Sequence, residues 1–458
     1  MATTISPTIF REYDIRGLVD RDLTEEGVRL IGQGLGTLVR RAGGRKVVVG
    51  RDCRLSGQRF ARQMTEGLNA TGVDVVDLGV VPTPLTYFAA QTLPVDGLCM
   101  ITGSHNPPEY NGLKVGVGKT TLHSEGIQDL RRLVASGRFE RGQGKVEPHD
   151  VVGPYLAYVK ENLGLGGRRL KAVVDAGNGT GGVVAMPLFE SLGIEVVPLF
   201  IEMDGNFPNH HPDPTVEKNL EALKAKVREV KADLGIAYDG DADRVGAVDE
   251  QGNVLWGDQL MILFSRALLE ENPGAAIVGE VKCSMTLFDD IARRGGRPVM
   301  WKAGHSLIKA KMKEEGALLA GEMSGHVFFA HRWFGFDDGI YASARLLELL
   351  SRTSAPLSSL LADVPRTFAT AELHFDCPEE KKFELVRRAQ AYFAGKYETV
   401  TVDGVRVTFP DGWGLVRASN TQPMLVLRFE ATSAARLAEI QQLVTEKVVQ
   451  LAREVVGS

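Results

Sequence analysis

The chain has 458 residues, of which 44% are hydrophobic and 24% charged, an ordinary composition for a soluble globular protein of about three domains. Its 53 basic and 58 acidic side chains give a net charge of −5, which disfavours a nucleic-acid-binding surface, and no apolar run is long enough to span a membrane. Four widely spaced cysteines without a Cys-x-x-Cys pattern predict free thiols in a reducing compartment, and the N-terminus lacks a signal-peptide pattern, so we expect a cytoplasmic protein.

Apolar strands alternate with amphipathic helices through the first hundred or so residues. Thr24 can cap a helix that runs to about Arg41, because apolar residues recur at helical spacing from Val28 to Val39. A second helix is expected to end near Ala70, and apolar runs predict strands over residues 46–50, 73–78 and 95–101. This alternation is typical of an α/β layer fold.

The third of these strands leads into the loop Thr102-Gly103-Ser104-His105-Asn106-Pro107-Pro108. The two prolines stiffen the loop, and a stiff loop after a buried strand can present one side chain, here Ser104. His105 and Lys114 lie close in sequence as possible proton carriers, although an ordinary polar turn explains the local pattern equally well. A hydrolase nucleophile elbow is not matched, because an asparagine stands where its second glycine should be.

The strand–helix plan recurs twice further along the chain. Residues 172–182 predict a strand, a glycine-rich turn and a helix, and residues 276–282 predict another strand before a helix. The glycine-rich turn could receive an anion or simply pack tightly, and it fits neither the dinucleotide fingerprint nor the Walker motif. From about residue 366 the pattern changes to antiparallel strands, with a closing helix after Ser433; the predicted strands are 367–375, 400–409, 413–418 and 424–430, with a turn at Asp403-Gly404.

The segment Tyr238-Asp239-Gly240-Asp241-Ala242-Asp243-Arg244 places three carboxylates at alternate positions, where they project to one side of an extended loop. Three like charges so close repel one another unless a cation neutralises them, and oxygen ligands favour Mg²⁺ or Mn²⁺. An EF-hand is rejected, because Arg244 takes the place of its glycine and the flanking residues predict strands. The remaining alternative is a solvated acidic turn.

Further segments carry polar side chains beside glycines or at a strand end. Glu322 and Ser324, within Gly321-Glu322-Met323-Ser324-Gly325-His326, could hydrogen-bond sugar hydroxyls or belong to an ordinary turn. Gly304-His305 and Lys282, which follows a strand end, could contact a substrate or have only a structural role.

Two more segments offer donors that suit a phosphate. The segment Phe10-Arg11-Glu12-Tyr13-Asp14-Ile15-Arg16-Gly17 holds two arginines, which could bind phosphate or form surface salt bridges. The loop Arg417-Ala418-Ser419-Asn420-Thr421-Gln422-Pro423 groups an arginine, two hydroxyls and an amide, although a capped turn would explain it too.

Four of these motifs, beginning at Thr102, Tyr238, Gly321 and Arg417, resemble in order and separation the signature loops of the α-D-phosphohexomutases. The opening motif and the segment from Gly321 to Gly339 are most similar to the bacterial phosphomannomutase/phosphoglucomutase group. The resemblance implies three related mixed α/β domains plus a C-terminal α+β domain around a central cleft. The expected domains are 1–150 with the phosphoserine loop, 151–252 with the metal-binding loop, 253–365 with the sugar-binding loop, and 366–458 with the phosphate-binding loop.

The resemblance also implies roles for individual residues. The implied catalytic residues are Ser104, His105, Lys114 and Arg244, and the implied metal ligands are Ser104, Asp239, Asp241 and Asp243. The implied substrate-binding residues are Tyr13, Arg16, Lys282, Gly304, His305, Glu322, Ser324, His326, Arg417, Ser419, Asn420 and Thr421. The sequence leaves open which side chain acts as the general base. The candidates are His105, Lys114, Arg244, His305 and His326, and arginine would be an unusual base because its pKa is high.

The activity implied by the resemblance is reversible phosphoryl transfer between carbons 1 and 6 of mannose and glucose phosphates. It uses Mg²⁺ and proceeds through a phosphoserine enzyme, with hexose 1,6-bisphosphate as intermediate and activator. We expect a monomer that has hexose phosphates as its partners and that contacts neither nucleic acid nor membrane. Two alternatives stay open: a phosphoglucosamine mutase, which would have glutamine where Met323 stands, and a sugar-phosphate sensor that binds without turnover.

Overall fold

The computed structural model describes residues 5–419 and 423–457, and within these ranges no helix is long and apolar enough to cross a membrane. Four β-sheets follow one another along the chain. The strand order of the first sheet is Ile15–Leu18, Tyr110–Val117, Gly97–Ile101, Lys46–Arg51, Asp74–Val80 and Val146–Pro148, with Thr120–Thr121 paired to Tyr110–Val117. The strand order of the second is Val254–Leu255, Val245–Asp249, Leu234–Tyr238, Lys171–Asp175 and Glu195–Leu199. The strand order of the third is Arg297–Trp301, Ala276–Glu280, Leu319–Gly321 and Val327–Phe329.

The first three sheets share one arrangement of strands. In each, three neighbouring strands are parallel, and a fourth strand runs antiparallel to the last of them. The loop before the fourth strand contains Ser104 in the first sheet, Asp239 to Asp243 in the second and Glu322 to His326 in the third. Three of the sequence motifs therefore occupy one topological position in three repeats, and the prediction of three related α/β domains is confirmed.

Helices pack against both faces of these sheets. The helix predicted after Thr24 begins at Glu25, and the Thr24 hydroxyl accepts a hydrogen bond of 3.1 Å from the Gly27 N–H. The α-helices are Glu25–Arg41, Gly57–Asn69, Thr83–Thr92, Glu125–Ser136, Val152–Asn162, Gly182–Ser191, Glu221–Val230, Gly257–Glu271, Met285–Arg293, His305–Glu315, Gly339–Ser351, Lys382–Ala394 and Ala434–Ala452. Short helical turns occur at Pro7–Ile9, Glu217–Leu220, Leu357–Ser359 and Arg453–Gly457.

The fourth sheet is antiparallel and, with the helices Lys382–Ala394 and Ala434–Ala452, forms the predicted α+β domain. Its strand order is Phe368–Ala369, Met424–Ala431, Gly412–Ala418, Val405–Phe409 and Glu398–Val400, with Leu373–Asp376 also paired to Met424–Ala431. The turn predicted at Asp403-Gly404 lies between two paired antiparallel strands, Glu398–Val400 and Val405–Phe409, and the glycine has a positive φ of 76°. The strand expected over 367–375 is divided, and the break brings Glu372 within 2.8 Å of Lys282.

Apolar packing joins the domains unequally. One large core runs continuously through the first three domains, from Val48 to Leu357, so burial of apolar surface holds these domains together. The fourth domain has a separate core and meets the third through a small cluster centred on Val281, Trp413 and Leu415. Buried Arg406 reinforces this contact, since it donates hydrogen bonds of 2.6 and 2.8 Å to the carbonyl oxygens of Val281 and Cys283. The four motif loops converge between the domains so assembled.

Candidate active site

A cleft of about 570 Å³ lies where the four domains meet. It is lined by fourteen of the sequence-predicted site residues: Tyr13, Arg16, Ser104, His105, Lys114, Arg244, Lys282, Gly304, His305, Glu322, Ser324, His326, Arg417 and Ser419. The carboxylates of Asp239, Asp241 and Asp243 are fully buried, and Asp239 and Asp243 contact lining side chains. The predicted residues Asn420 and Thr421 lie outside the described part of the chain.

Ser104 is held in an uncommon backbone conformation at the cleft. Its φ is +51°, in the left-handed region that non-glycine residues rarely adopt, and such a conformation persists only where neighbouring contacts impose it. Its N–H donates to the Thr102 hydroxyl at 2.8 Å, and its carbonyl oxygen accepts from Arg54 at 2.9 Å. The loop therefore presents the Ser104 hydroxyl through contacts that its own backbone makes.

Arg54 is the residue that fixes this loop, and sequence reasoning missed it. Its guanidinium donates to the carbonyl oxygens of four loop residues at 2.6 to 2.9 Å; they are Ser104, Asn106, Pro107 and Tyr110. Asp52, itself buried, orients the guanidinium through a contact of 3.1 Å. A Cβ at Gly103 would lie 2.5 Å from the Arg54 guanidinium carbon. The glycine is needed for the close approach of Arg54.

The Ser104 hydroxyl connects the first domain to the acidic loop of the second. It donates a hydrogen bond of 2.8 Å to Asp239 Oδ2 and lies 3.1 Å from His105 Nδ1. Gly240 permits this approach, because a Cβ at that position would lie 2.6 Å from the Ser104 carbonyl oxygen. The predicted nucleophile and the predicted metal loop are thus in direct contact.

The three aspartates form a compact cluster. Each offers a carboxylate oxygen, and these oxygens all lie within 4.8 Å of one another. Lys114 Nζ contacts Asp241 Oδ2 at 2.9 Å and also contacts Asp243, while the Thr83 hydroxyl donates to Asp241 Oδ2 at 2.5 Å. Among the described residues Asp241 Oδ1 has no hydrogen-bond partner although it is buried. An orphaned carboxylate oxygen beside two further carboxylates fits a divalent cation with oxygen ligands.

Burial and charge shift the pKa values around this cluster. Burial and then the charges of its two neighbours raise the pKa of Asp239 well above its ordinary value. Burial alone would lower the pKa of Lys114, but Asp241 and Asp243 hold it well above the usual range. Burial likewise opposes protonation of His326, yet its carboxylate neighbours raise its pKa to about 9. The site therefore concentrates both signs of charge in a volume with little solvent.

The third-domain loop connects to the acidic loop through His326. His326 Nε2 lies 3.3 Å from Asp243 Oδ1 and 3.3 Å from Arg244 Nε, and its Nδ1 lies 2.9 Å from Glu322 Oε2. Ser324 Oγ is 3.0 Å from the same Nδ1. Glu322 and Ser324, predicted to bind sugar hydroxyls, therefore lie together beside His326.

The opening segment of the first domain also lines the cleft. Arg16 donates to Asn106 Oδ1 and to Asp14 Oδ2, both at 2.6 Å, which orients its guanidinium beside the Ser104 loop. The ring of Tyr13 meets His305 edge to face, with centroids 5.1 Å apart. The N–H of Gly304 donates to Glu322 Oε1 at 2.6 Å, so the segment predicted around residues 304–305 supports the Glu322 loop directly.

The fourth domain contributes positive charge to the cleft. Arg417 Nε donates to Asp403 Oδ2 at 3.0 Å, and the same oxygen accepts from the Ala303 N–H at 3.2 Å. Lys282 pairs with Glu372 across the domain boundary at 2.8 Å. Asp403 and Glu372 were missed by sequence reasoning, because an isolated acid carries no motif signal. Arg417 and Lys282 with Arg16 give the cleft several cations for an anionic ligand.

The arrangement suits transfer of a phosphoryl group to and from an anionic, hydroxyl-rich molecule. A serine hydroxyl can carry the group, three carboxylates can hold a cation next to it, and arginine forks can bind a second phosphate. The pairing of a nucleophile with a cation site also argues against a protein that only binds its ligand.

Comparisons with known proteins agree with this chemistry. Family models for the four domains of phosphoglucomutase/phosphomannomutase match the chain: alpha/beta/alpha domain I at residues 7–141, domain II at 153–252, domain III at 256–368 and the C-terminal domain at 372–447. The chain is 49% identical over 441 residues to a phosphomannomutase/phosphoglucomutase of Pseudomonas aeruginosa, covering 96% of this chain and 95% of that protein. It is 46% identical over 443 residues to a phosphoglucomutase of Neisseria gonorrhoeae, covering 96% of both chains. A solved structure of a phosphoglucomutase/phosphomannomutase family protein from Burkholderia thailandensis superposes with a TM-score of 0.93 at 47% identity and covers 98% of each chain.

Proposed function

The chain belongs to the phosphoglucomutase/phosphomannomutase family, and from that premise we propose that it moves a phosphoryl group reversibly between carbons 1 and 6 of glucose and mannose phosphates. The reaction proceeds through a phosphoserine at Ser104 and a hexose 1,6-bisphosphate. The observation that carries the proposal is the 2.8 Å contact between Ser104 Oγ and Asp239 Oδ2, which joins a nucleophile to a cluster of three carboxylates.

The acidic loop supplies the cation site. Asp239, Asp241 and Asp243, together with an oxygen on Ser104, are the ligands that we assign to Mg²⁺, a hard cation that prefers oxygen donors. When bound, Mg²⁺ would neutralise negative charge on the phosphoryl group during transfer. Lys114 assists through its contacts with Asp241 and Asp243, since it holds these carboxylates in place and adds positive charge nearby.

The chemical step exchanges one phosphoester bond for another. A hydroxyl oxygen at carbon 1 or 6 of the sugar forms a bond to the phosphorus on Ser104, and the bond from that phosphorus to Ser104 Oγ breaks. A general base accepts the proton of the sugar hydroxyl, and this proton is then returned to Ser104 Oγ, so no other reactant is consumed. His105 is the predicted catalytic base that lies nearest to Ser104 Oγ, at 3.1 Å, and we assign it the delivery of that proton.

The remaining predicted residues bind the substrate in two orientations. The bisphosphate must turn so that its second phosphate meets Ser104, and the phosphate that is not reacting needs an anchor each time. Arg417 and Ser419 provide this anchor from the fourth domain, and Arg244 and Arg16 face the reacting end. Glu322 and Ser324 hold the sugar hydroxyls at carbons 3 and 4, which both orientations share.

We also propose an oligomeric state and a cellular location for the protein. We assign a monomer in the cytoplasm, because one chain supplies every domain that lines the cleft and its four cysteines are unpaired. The phosphoglucosamine mutase alternative has less support, since Met323 stands where that group has glutamine.

Transfer from Ser104 is tested by labelling. Enzyme incubated with glucose 1,6-bisphosphate carrying labelled phosphate should yield one labelled peptide, which contains Ser104. Ser104→Ala should lose nearly all release of glucose 6-phosphate from glucose 1-phosphate yet still bind the sugar phosphate, because the anchoring loops are unchanged. Ser354→Ala, a change to an exposed serine outside the cleft, serves as the control. Normal turnover in Ser104→Ala would refute the mechanism, and binding without turnover in the unchanged protein would favour a sensor.

A further inference from the structure

A second cavity of about 580 Å³ lies between the first and third domains, separate from the cleft. No residue is shared between the described linings of the two spaces. Its volume falls within the range of about 300–1,000 Å³ that small-molecule sites occupy. The mechanism proposed above makes no use of it.

The walls of this cavity are largely apolar and aromatic. Leu98 comes from the central sheet of the first domain, and Met312, Leu318, Phe334 and Phe336 come from the third. Tyr87 lies between the two groups, and its buried hydroxyl has no hydrogen-bond partner within the described residues. Such walls suit the flat, apolar body of a ligand.

The charge around the cavity has one sign. Lys119 and Lys313 are exposed at its edge, His123 and Lys309 also line it, and none of the described lining residues carries a carboxylate. Lys309 is already paired with Asp337 at 2.9 Å, so the charge that remains for a ligand comes chiefly from Lys119 and Lys313. A cationic edge around apolar walls is complementary to an apolar molecule with an anionic group.

One helix connects this cavity to the active-site cleft. The helix His305–Glu315 begins with His305 in the cleft, and its later residues Ser306, Lys309, Ala310, Met312 and Lys313 line the cavity. Ser306 Oγ also lies 2.8 Å from Thr121 Oγ1, a contact that joins the third domain to the first. A ligand in the cavity would therefore contact the element that positions His305.

We propose that this cavity is an effector site for a small molecule with an aromatic body and one anionic group, a carboxylate, sulfonate or phosphate. Its occupant binds between the first and third domains and changes the affinity of the cleft for sugar phosphate through the helix His305–Glu315. The binding part is independent of the function proposed above, whereas the coupling part rests on it.

The site is tested with 8-anilinonaphthalene-1-sulfonate, whose fluorescence reports its binding to the whole protein. The matched neutral probe is N-phenyl-1-naphthylamine, which lacks the sulfonate. We expect one saturable site for the anionic probe and affinity that falls with added salt, and weaker, salt-independent binding of the neutral probe.

Three variants locate the binding. Lys313→Glu should lower the affinity for the anionic probe by about fivefold, because it reverses a charge at the edge of the cavity. Ala310→Trp fills the cavity from an exposed helix position and should lower the affinity for the anionic probe by about tenfold or more. The control is Lys160→Glu, because Lys160, like Lys313, is an exposed lysine in the last turn of an 11-residue helix but lies outside the cavity. Unchanged probe affinity in both Lys313→Glu and Ala310→Trp, or equal binding of both probes, would overturn the proposed site.

Calorimetric titration with glucose 1-phosphate tests the coupling. A saturating concentration of the anionic probe should shift the Kd of glucose 1-phosphate in the unchanged protein but not in Ala310→Trp, and the reciprocal shift should appear in the Kd of the probe. A probe that binds at the predicted residues without moving that Kd would refute the effector role. Failure of glucose 1-phosphate to bind at all would instead count against the function proposed for the cleft.

Discussion

The guanidinium of Arg54 donates a hydrogen bond of 2.9 Å to the carbonyl oxygen of Ser104. The same side chain reaches three other carbonyl oxygens of the loop, and its side chain is completely buried. A planar group with several donors in fixed directions can satisfy such a set, which a flexible ammonium cannot do equally well. Arg54 therefore maintains the unusual conformation of Ser104 without contacting the cleft.

Replacing Arg54 with lysine should impair catalysis more than binding. Two or more carbonyl oxygens of the loop would lose their partner, and an unsatisfied buried group costs roughly 1–3 kcal/mol. The loop would relax, so we expect kcat to fall about a hundredfold and phosphorylation of Ser104 by glucose 1,6-bisphosphate to slow, while KM changes by less than about threefold. Steady-state kinetics and the rate of labelling measure both quantities.

The control for this prediction is Arg132→Lys, which changes an exposed arginine that pairs with Asp129. Its kinetics should match those of the unchanged protein, because exposed ion pairs contribute little. If Arg54 only stabilised the fold, Arg54→Lys would lower the melting temperature of the protein and leave kcat unaltered in the folded fraction. That result would contradict a positioning role.

Asp241→Asn should weaken the binding of Mg²⁺. The change removes one charge from the cluster and brings an amide group near Lys114 and Thr83, both of which donate to Asp241 Oδ2. We expect the Mg²⁺ concentration for half-maximal activity to rise by about tenfold or more, with partial recovery of activity at high Mg²⁺. Calorimetric titration of Mg²⁺ gives the affinity without turnover. Asp289→Asn, at an exposed aspartate, is the control, and activity that survives chelation in the unchanged protein would mean that the cluster is structural.

The sequence motifs located the site because each motif concentrates several functional side chains within a few consecutive residues. Ser104, the three aspartates and Glu322 were found in this way, and the repeated strand–helix pattern predicted the domains that carry them. Arg54 was not found, because its partner Ser104 lies 50 positions away and neither residue signals the other. The hydrogen bond from Ala303 N–H to Asp403 joins residues 100 positions apart and was not predicted for the same reason. Local sequence thus predicted which groups meet at the cleft, whereas the contacts that orient them depend on tertiary packing.

Asp338 should make stability depend on pH. Burial raises its pKa to about 7, although the hydrogen bonds that it accepts from Tyr341 N–H and Tyr155 OH oppose the shift. Since the folded-state pKa lies above that of the unfolded chain, about 3.9, the protonated form stabilises the fold at low pH. That contribution is fully present below the unfolded value and is lost as the pH rises through about 7.

Asp338→Asn removes this dependence, because asparagine is neutral throughout and still accepts a hydrogen bond as the helix cap. We expect the free energy of unfolding of the parent, relative to Asp338→Asn, to fall between pH 5 and pH 8 by roughly 3 kcal/mol at most. Denaturant unfolding at several pH values measures this difference, with Asp129→Asn as the exposed control. A difference that is constant or that grows with pH would show that Asp338 is ionised in the folded protein.

The choice of sugar follows from which hydroxyls the cleft contacts. Glucose and mannose differ only at carbon 2, whereas Glu322 and Ser324 are assigned to carbons 3 and 4. The sugar must also bind in two orientations, which penalises a tight contact to any hydroxyl that would move when the ring turns. A site that does not bond the differing group rejects its epimer weakly. We therefore expect kcat/KM values for glucose 1-phosphate and mannose 1-phosphate within about a hundredfold, or roughly 3 kcal/mol.

Glu322→Gln tests this assignment, because the lost charge should affect both sugars alike. Glu322 also accepts from Gly304 N–H and contacts His326, so the variant should lower kcat/KM for both substrates by about tenfold to a hundredfold. The ratio of the two kcat/KM values should stay within about threefold of the parent's, since the removed contact is common to both epimers. Glu314→Gln changes an exposed glutamate of the helix that begins at His305, and it should leave both kcat/KM values unchanged. If Glu322→Gln harms one sugar alone, or if the parent prefers one sugar by many thousandfold, then the cleft distinguishes carbon 2 and Glu322 is part of the means by which it does so.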